Sequence, residues 1–180
     1  MLVKGSDSVG EIVARWRQVR PELDVSAMTV FGPLHRAFLL YRLQITEVFE
    51  RHGINEAGFD VLACLRRAAP DFRATAGELA AQTLVTTGGL TLRVNRLQEA
   101  GLVTRERDAV DNRVVYVALT ESGKDLIDKV ADDHFANEAR MLAGLPERER
   151  RELADLLVRL EGALRGAAKS RETLEAAAGS

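Results

Sequence analysis

The chain has 180 residues, enough for one domain with a sizeable core, and its 46% hydrophobic and 29% charged residues are typical of a globular protein. No apolar stretch reaches the roughly 18 residues that a transmembrane helix needs. No secretory signal is visible, and the single cysteine excludes an intramolecular disulfide, so we expect a cytoplasmic protein. A net charge of −2 excludes a protein that coats nucleic acid along its whole surface, but it allows a local basic face.

The N-terminal part of the sequence predicts three helices. A short helix over 9–20 ends before Pro21, which cannot continue it. Ser26 is the predicted N-cap of a long second helix that reaches about Gly53, and Asn55 caps a third helix that runs through Ala68. The second helix is amphipathic, because its apolar residues recur at intervals of three and four, namely Met28, Phe31, Leu34, Phe38, Tyr41, Ile45 and Val48.

The middle of the chain has the pattern of a helix-turn-helix. A short helix over 75–82 is followed by a tight turn and a second helix over 86–100, which includes Gly88 and Gly89. Gly101 closes this second helix in the left-handed conformation. Residues 102–106 and 113–119 then predict two strands joined by a polar loop. Two short strands are not stable alone, so we expect this hairpin to pack on the helices as a wing.

The C-terminal part predicts two more helices. Thr120 caps a long helix that reaches about Ala143, and Pro146 opens a last helix with one leucine stripe. Residues 169–180 are expected to fray. The predicted fold is therefore mostly α with a small β-hairpin wing. It combines a winged helix-turn-helix lobe over 55–119 with a helical dimerisation region over 9–53 and 121–168.

The second helix of the helix-turn-helix is the element expected to meet DNA. In this motif the first helix braces the second, which enters the major groove with its N-terminus first. We expect the inner face of the second helix to pack on Leu79 and Ala80. Its outer face carries small or polar side chains that suit base edges and phosphates. With the wing, the predicted DNA-contacting residues are Thr86, Thr87, Gly88, Thr91, Leu92, Asn95, Arg96, Arg107, Asp111 and Arg113.

The wing tip carries an Asp-x-Arg sequence, Asp111 to Arg113. We expect the carboxylate to hold the guanidinium in one pose for a narrow minor groove. The charge balance of this region is weakly basic, since residues 86–113 contain five arginines and four acidic residues. A small α/β module that binds a partner protein is therefore the alternative to DNA binding.

Arg93 stands out because it falls on the stripe of Leu90, Val94 and Leu97, where a purely structural helix would carry an apolar residue. An inward-facing guanidinium needs an anion, since an unpaired buried charge costs several kcal/mol. Asp60, inside an apolar stretch of the third helix, is the natural partner. Two interpretations stay open: a permanent structural ion pair, or a pair that a planar anion separates by binding the arginine.

Catalytic and metal-binding patterns are absent from the sequence. It shows no nucleophile–base pair, no phosphate-binding glycine loop after a strand and no His/Cys/Asp spacing typical of a metal site, so we expect neither an enzyme nor a cofactor. Cys64 shares a helix face with Val61, Leu65 and Ala68, which indicates a core thiol.

Residues 77–123 resemble the MarR family of bacterial transcriptional regulators. The resemblance rests on ELA, then RLQEAGLV, then the Asp-x-Arg wing and VALTESG before a long helix. It extends over about residues 9–168 and implies a homodimer of winged helix-turn-helix chains. The two recognition helices of such a dimer read a pseudo-palindromic operator in double-stranded DNA.

Within the family the chain is similar to the urate-responsive, PecS-like branch. The similarity rests on a tryptophan-bearing N-terminal helix before PELD, on FDVLACLRR at 59–67 and on VTTGGLTLR at 85–93. It implies a repressor that a small anion such as urate releases from DNA, with Trp16, Asp60, Arg93 and Arg105 as ligand-binding residues. Alternatives are a carboxylate or phenolic acid as ligand, a ligand-independent module, and a DNA phosphate as the partner of Arg105.

Overall fold

The computed structural model describes residues 8–83, 89–108, 111 and 113–178. Within these residues the chain forms seven helices and one three-stranded sheet, which confirms the predicted fold class. It divides into two compact units, Met1–Asn137 and Glu138–Ser180. The described helices include none long and apolar enough to cross a membrane.

The first three helices are α1 (Val9–Val19), α2 (Met28–Arg51) and α3 (Glu56–Arg67). The Asn55 side chain accepts the backbone N–H of Gly58 at 2.9 Å, as a cap of α3 should. The predicted Ser26 cap of α2 is wrong, because Ala27 is the N-cap and the helix begins at Met28. Ser26 contributes through its backbone carbonyl, which accepts the N–H and the hydroxyl of Thr29.

The sheet contains β1 (Arg73–Thr75), β2 (Val103–Arg107) and β3 (Val115–Leu119) in the order β1-β3-β2, with both pairs antiparallel. The hairpin of β2 and β3 confirms the predicted wing. The third strand, β1, was not predicted, because three residues are too few to show an alternating pattern. Ala74 in β1 is buried and pairs with Val117, so this strand joins the wing to the helix-turn-helix.

The helix-turn-helix consists of α4 (Ala76–Gln82) and α5 (Leu90–Glu99). The predicted start of α5 was wrong: Gly89 lies outside the helix as its N-cap, with φ at 88°. Only glycine adopts this left-handed conformation without strain, so the position ends the turn and does not continue a helix. Thr86, Thr87 and Gly88 lie outside the described residues.

A single core holds α3, α4, α5 and the sheet together. Leu79 of α4 and Val94 and Leu97 of α5 pack in it beside Val61 and Leu62 of α3, as expected for a bracing helix and a recognition helix. Cys64 is buried in the same cluster, and burial raises the pKa of its thiol. The prediction of a core thiol is confirmed, because a raised pKa disfavours the reactive thiolate.

The C-terminal helices are α6 (Glu121–Met141) and α7 (Glu147–Ala178). The Thr120 hydroxyl accepts the backbone N–H of Gly123 at 3.0 Å, which confirms the predicted cap of α6. Helix α7 continues through most of the segment expected to fray. Ion pairs between residues four apart support it, including Arg148 with Glu152 and Arg165 with Glu161.

Candidate nucleic-acid interface and ligand cavity

Helix α5 presents one polar face to solvent. Leu90, Val94 and Leu97 point into the core, while Thr91 and Arg96 are exposed on other sides of the helix. Leu92 is 54% exposed although it is apolar. Of the residues predicted to touch DNA on the described part of this helix, Thr91, Leu92 and Arg96 are exposed and Asn95 is half-buried.

The wing tip is built by carboxylates that bind backbone. Asp108 Oδ1 accepts the N–H of Asp111, and Asp111 Oδ1 accepts the N–H of Arg113, both at 2.9 Å. The Asp111 carboxylate thus shapes the turn through the backbone, and its predicted contact with the guanidinium of Arg113 stays a prediction. Arg107 and Arg113 are exposed on either side of that turn.

Arg105 on β2 reaches back to α5. Its guanidinium donates to Asn95 Oδ1 and to Gln98 Oε1. Gln98 was not among the predicted site residues. It is three residues after Asn95, on the same side of the helix, and this spacing is the signal that identifies it. The structure places amides of the recognition helix beside Arg105. The choice between a ligand and a DNA phosphate as a further partner of Arg105 stays a prediction.

Arg93 lies on the other flank of α5 and lines a cavity of about 590 Å³. The α2–α3 turn, the first turn of α3 and both ends of α5 form this cavity. Arg93 is half-buried, and its Nη1 atom is hidden from solvent. Arg96 and Asn55 add polar groups, whereas Ile54 and Leu97 add apolar walls. The cavity thus offers cationic nitrogens beside apolar surface.

The other two predicted ligand residues have different surroundings. Asp60 is 8% exposed on α3, the helix that packs against α5. Its predicted pairing with Arg93 stays a prediction. Trp16 is 43% exposed on α1 and lines a separate cavity of about 330 Å³ with Ile12, Arg15 and Val19. Arg93, Arg105 and Trp16 therefore line three different surfaces, whereas Asp60 is buried on α3.

The described residues contain no group of three or more His, Cys, Asp or Glu side chains placed to hold a metal ion. The polar side chains of α5 include the amides of Asn95 and Gln98 and the guanidinium groups of Arg93 and Arg96. These groups bind anions and base edges through hydrogen bonds, which is the chemistry of recognition.

Comparison with known proteins agrees with this geometry. The family model described as "MarR family" matches residues 52–113. The HTH-type transcriptional regulator PecS of Dickeya dadantii is 35% identical over 153 residues, which cover 85% of this chain and 92% of that protein. The chain belongs to the MarR family. This MarR-family chain is a DNA-binding transcriptional regulator and not an enzyme, as predicted.

Solved structures show the same fold. Sco3205, a MarR family regulator from Streptomyces coelicolor solved in complex with DNA, aligns with a TM-score of 0.70 at 22% identity and covers 79% of this chain and 93% of its own. BpsR of Bordetella bronchiseptica aligns with a TM-score of 0.65 at 22% identity and covers 73% of this chain and 92% of its own. MarR regulators bind DNA as dimers and respond to small ligands, and this chain has the same architecture.

Proposed function

We propose that this regulator is a homodimeric repressor that leaves its operator when a small planar anion, such as urate, binds beside Arg93. The observation that carries the proposal is the position of Arg93. It is a half-buried cation on the recognition helix itself, and it lines a cavity of a size that suits a small molecule. A ligand bound there contacts the element that reads DNA.

The chemistry of the cavity favours a flat anion. A guanidinium donates two parallel hydrogen bonds to a carboxylate or to the edge of a purine anion. Arg96 increases the positive charge of the same cavity, and the side chains of Ile54, Leu97 and Leu102 supply apolar contact for a ring. Trp16 would join this site only through a rearrangement or a second subunit, because it lines a different cavity.

Release of DNA follows from a difference in ligand affinity between two states. Asp60 is buried on the helix that packs against α5, so a ligand anion that approaches Arg93 also repels this carboxylate. A shift of α5 toward the cavity would change its position relative to the helix of the second subunit. Because half-site spacing is fixed by the dimer, such a shift lowers operator affinity.

The dimer proposal rests on apolar surface that one subunit leaves uncovered. The middle of α2 exposes large apolar side chains on more than one side, including Phe38, Leu40 and Leu43. Helix α7, considered by itself, exposes the predicted leucine stripe. We assign residues 9–53 and 121–168 to a helical dimerisation region. We also place the protein in the cytoplasm, where its operator DNA lies.

An aromatic carboxylate is the second candidate ligand. The DNA binding of the structural neighbour BpsR is regulated by 6-hydroxynicotinic acid, a planar ring with a carboxylate. The same guanidinium fork suits either ligand, so both belong in the test.

Arg93→Ala tests the proposal directly. The variant should fold and dimerise, yet it should lose the rise in melting temperature that urate gives the wild type, and its DNA binding should no longer respond to urate. Arg107→Ala is the control, because this exposed wing residue should weaken DNA binding and leave the urate response intact. A urate response that survives in Arg93→Ala places the ligand elsewhere, and a wild type that responds only to the carboxylate changes the ligand class.

A further inference from the structure

We infer that Arg105 is a positioning residue for sequence readout: it holds the side-chain amides of Asn95 and Gln98 so that only their NH₂ groups face DNA. The inference rests on the proposed DNA-binding face of α5. Its basis is the pair of hydrogen bonds from the Arg105 guanidinium to Asn95 Oδ1 and Gln98 Oε1.

The chemistry of the three groups fixes their orientation. A guanidinium has only donors, so an amide beside it must turn its oxygen toward it. Arg105 meets both amides at once because its nitrogens form a rigid fork, and residues 95 and 98 lie one turn apart on the same side of the helix. Strand β2 holds Arg105 in register, since this residue pairs with Val117 of β3.

The surroundings argue against a phosphate as the main partner of Arg105. Its guanidinium already donates to two amide oxygens, and it shares a groove of about 320 Å³ with Asn95, Gln98 and the carboxylate-bearing Glu99. A phosphate that entered this groove would approach that carboxylate, and the repulsion would offset part of the attraction. The exposed wing residues Arg107 and Arg113 are better placed for the DNA backbone.

The consequence concerns which bases Asn95 can read. A free asparagine recognises adenine with both ends of its amide, because the oxygen accepts from N6 and the NH₂ donates to N7. Because its oxygen is turned toward Arg105, Asn95 presents its NH₂ group to the groove and acts there as a donor. It then favours a major-groove edge that presents a keto acceptor, O6 of guanine or O4 of thymine, over cytosine, which presents an amino group there. Adenine is also disfavoured, because its N7 still accepts from the NH₂ but its N6 amino group no longer finds the amide oxygen.

The test compares Asn95→Ala, Arg105→Ala, Arg105→Lys and the double variant on an operator recovered from a randomised duplex pool. Each half-site base is then substituted singly. The wild type should lose about tenfold in affinity when the keto base at one position is replaced by an amino base. Arg105→Ala should reduce this ratio to about twofold. The double variant of Asn95 and Arg105 should discriminate no worse than Asn95→Ala alone, because both substitutions disrupt the same hydrogen-bonded pair.

Arg105→Lys and the salt dependence separate positioning from charge. Lysine keeps the charge but lacks the fork, so Arg105→Lys should lose discrimination while the slope of log affinity against log salt stays unchanged. Arg107→Ala should instead lower the slope and keep the discrimination. If the losses of discrimination in Asn95→Ala and Arg105→Ala are additive, and Arg105→Ala also lowers the salt slope, Arg105 contacts a phosphate and the inference is overturned. If Asn95→Ala leaves DNA binding unchanged, the proposed face itself fails.

Discussion

Gly123 lies where the first turn of α6 passes over the backbone that follows α5. A Cβ atom at this position would stand 2.1 Å from the carbonyl oxygen of Leu102 and 3.2 Å from Cδ2 of Leu119. The same carbonyl accepts the N–H of Thr120 at 3.1 Å, so it cannot turn away without losing a hydrogen bond. Glycine therefore sets how closely α6 approaches the recognition helix.

Gly123→Ala should destabilise the protein by about 2 kcal/mol, the typical cost of forcing an extra carbon into a packed site. Chemical unfolding followed by circular dichroism measures this value. Gly162→Ala is the matched control on α7, where the added carbon would meet nothing within 4 Å beyond the adjoining backbone of its own helix. The control should be neutral or slightly stabilising, because alanine favours a helix over glycine. Equal effects of both substitutions would contradict the argument.

Single residues also show what the sequence could not predict. Asn95 was expected on the DNA-facing side from helix periodicity alone, and its exposure agrees in part, since the residue is half-buried. Its contact with Arg105 depends on how α5 is rotated against β2 and on the register of the wing. Both are tertiary properties, and no local pattern in the sequence encodes them.

At the scale of helices and strands, the best-predicted features are the helix ends that are fixed by hydrogen bonds between residues close in sequence. Asn55 and Thr120 cap their helices as predicted, through side-chain hydrogen bonds to residues three positions ahead. Thr75 was predicted as the first residue of its helix, but it caps that helix in the same way. The start of α5 was misjudged because Gly89 adopts a left-handed conformation that helix propensity does not reveal. Strand β1 exists only because β3 lies beside it.

Helix α1 is held close to α2 by a second glycine contact. A Cβ at Gly32 would stand 2.6 Å from Cγ1 of Val9. Gly32→Ala should therefore push α1 away from α2 and change the fluorescence of Trp16, the single tryptophan of the chain. Adding Val9→Ala removes the opposing methyl groups and should restore the wild-type emission spectrum. If the double variant keeps the altered spectrum, the contact does not determine the position of α1.

For the molecule as a whole, the net charge does not indicate which surfaces carry positive charge. The chain carries −2 overall, yet residues 86–113 hold five arginines and four acidic residues. Two of those carboxylates, Asp108 and Asp111, bind backbone N–H groups of the wing turn. On α7, arginines such as Arg165 pair with glutamates of the same helix, so these charges offset each other locally. The overall value therefore does not oppose a cationic contact with DNA.

Operator affinity should consequently fall steeply with salt. If two subunits together neutralise on the order of six phosphates, the slope of log affinity against log salt is about −5. Arg113→Ala should make this slope less steep by about one per subunit and weaken binding to all sequences alike, because a phosphate contact carries no base information. Arg165→Ala, whose partner Glu161 lies on the same helix, should leave the slope unchanged. Fluorescence anisotropy with a labelled duplex at a series of salt concentrations measures all three proteins, and a wild-type slope near zero would contradict an electrostatic footprint on the wing.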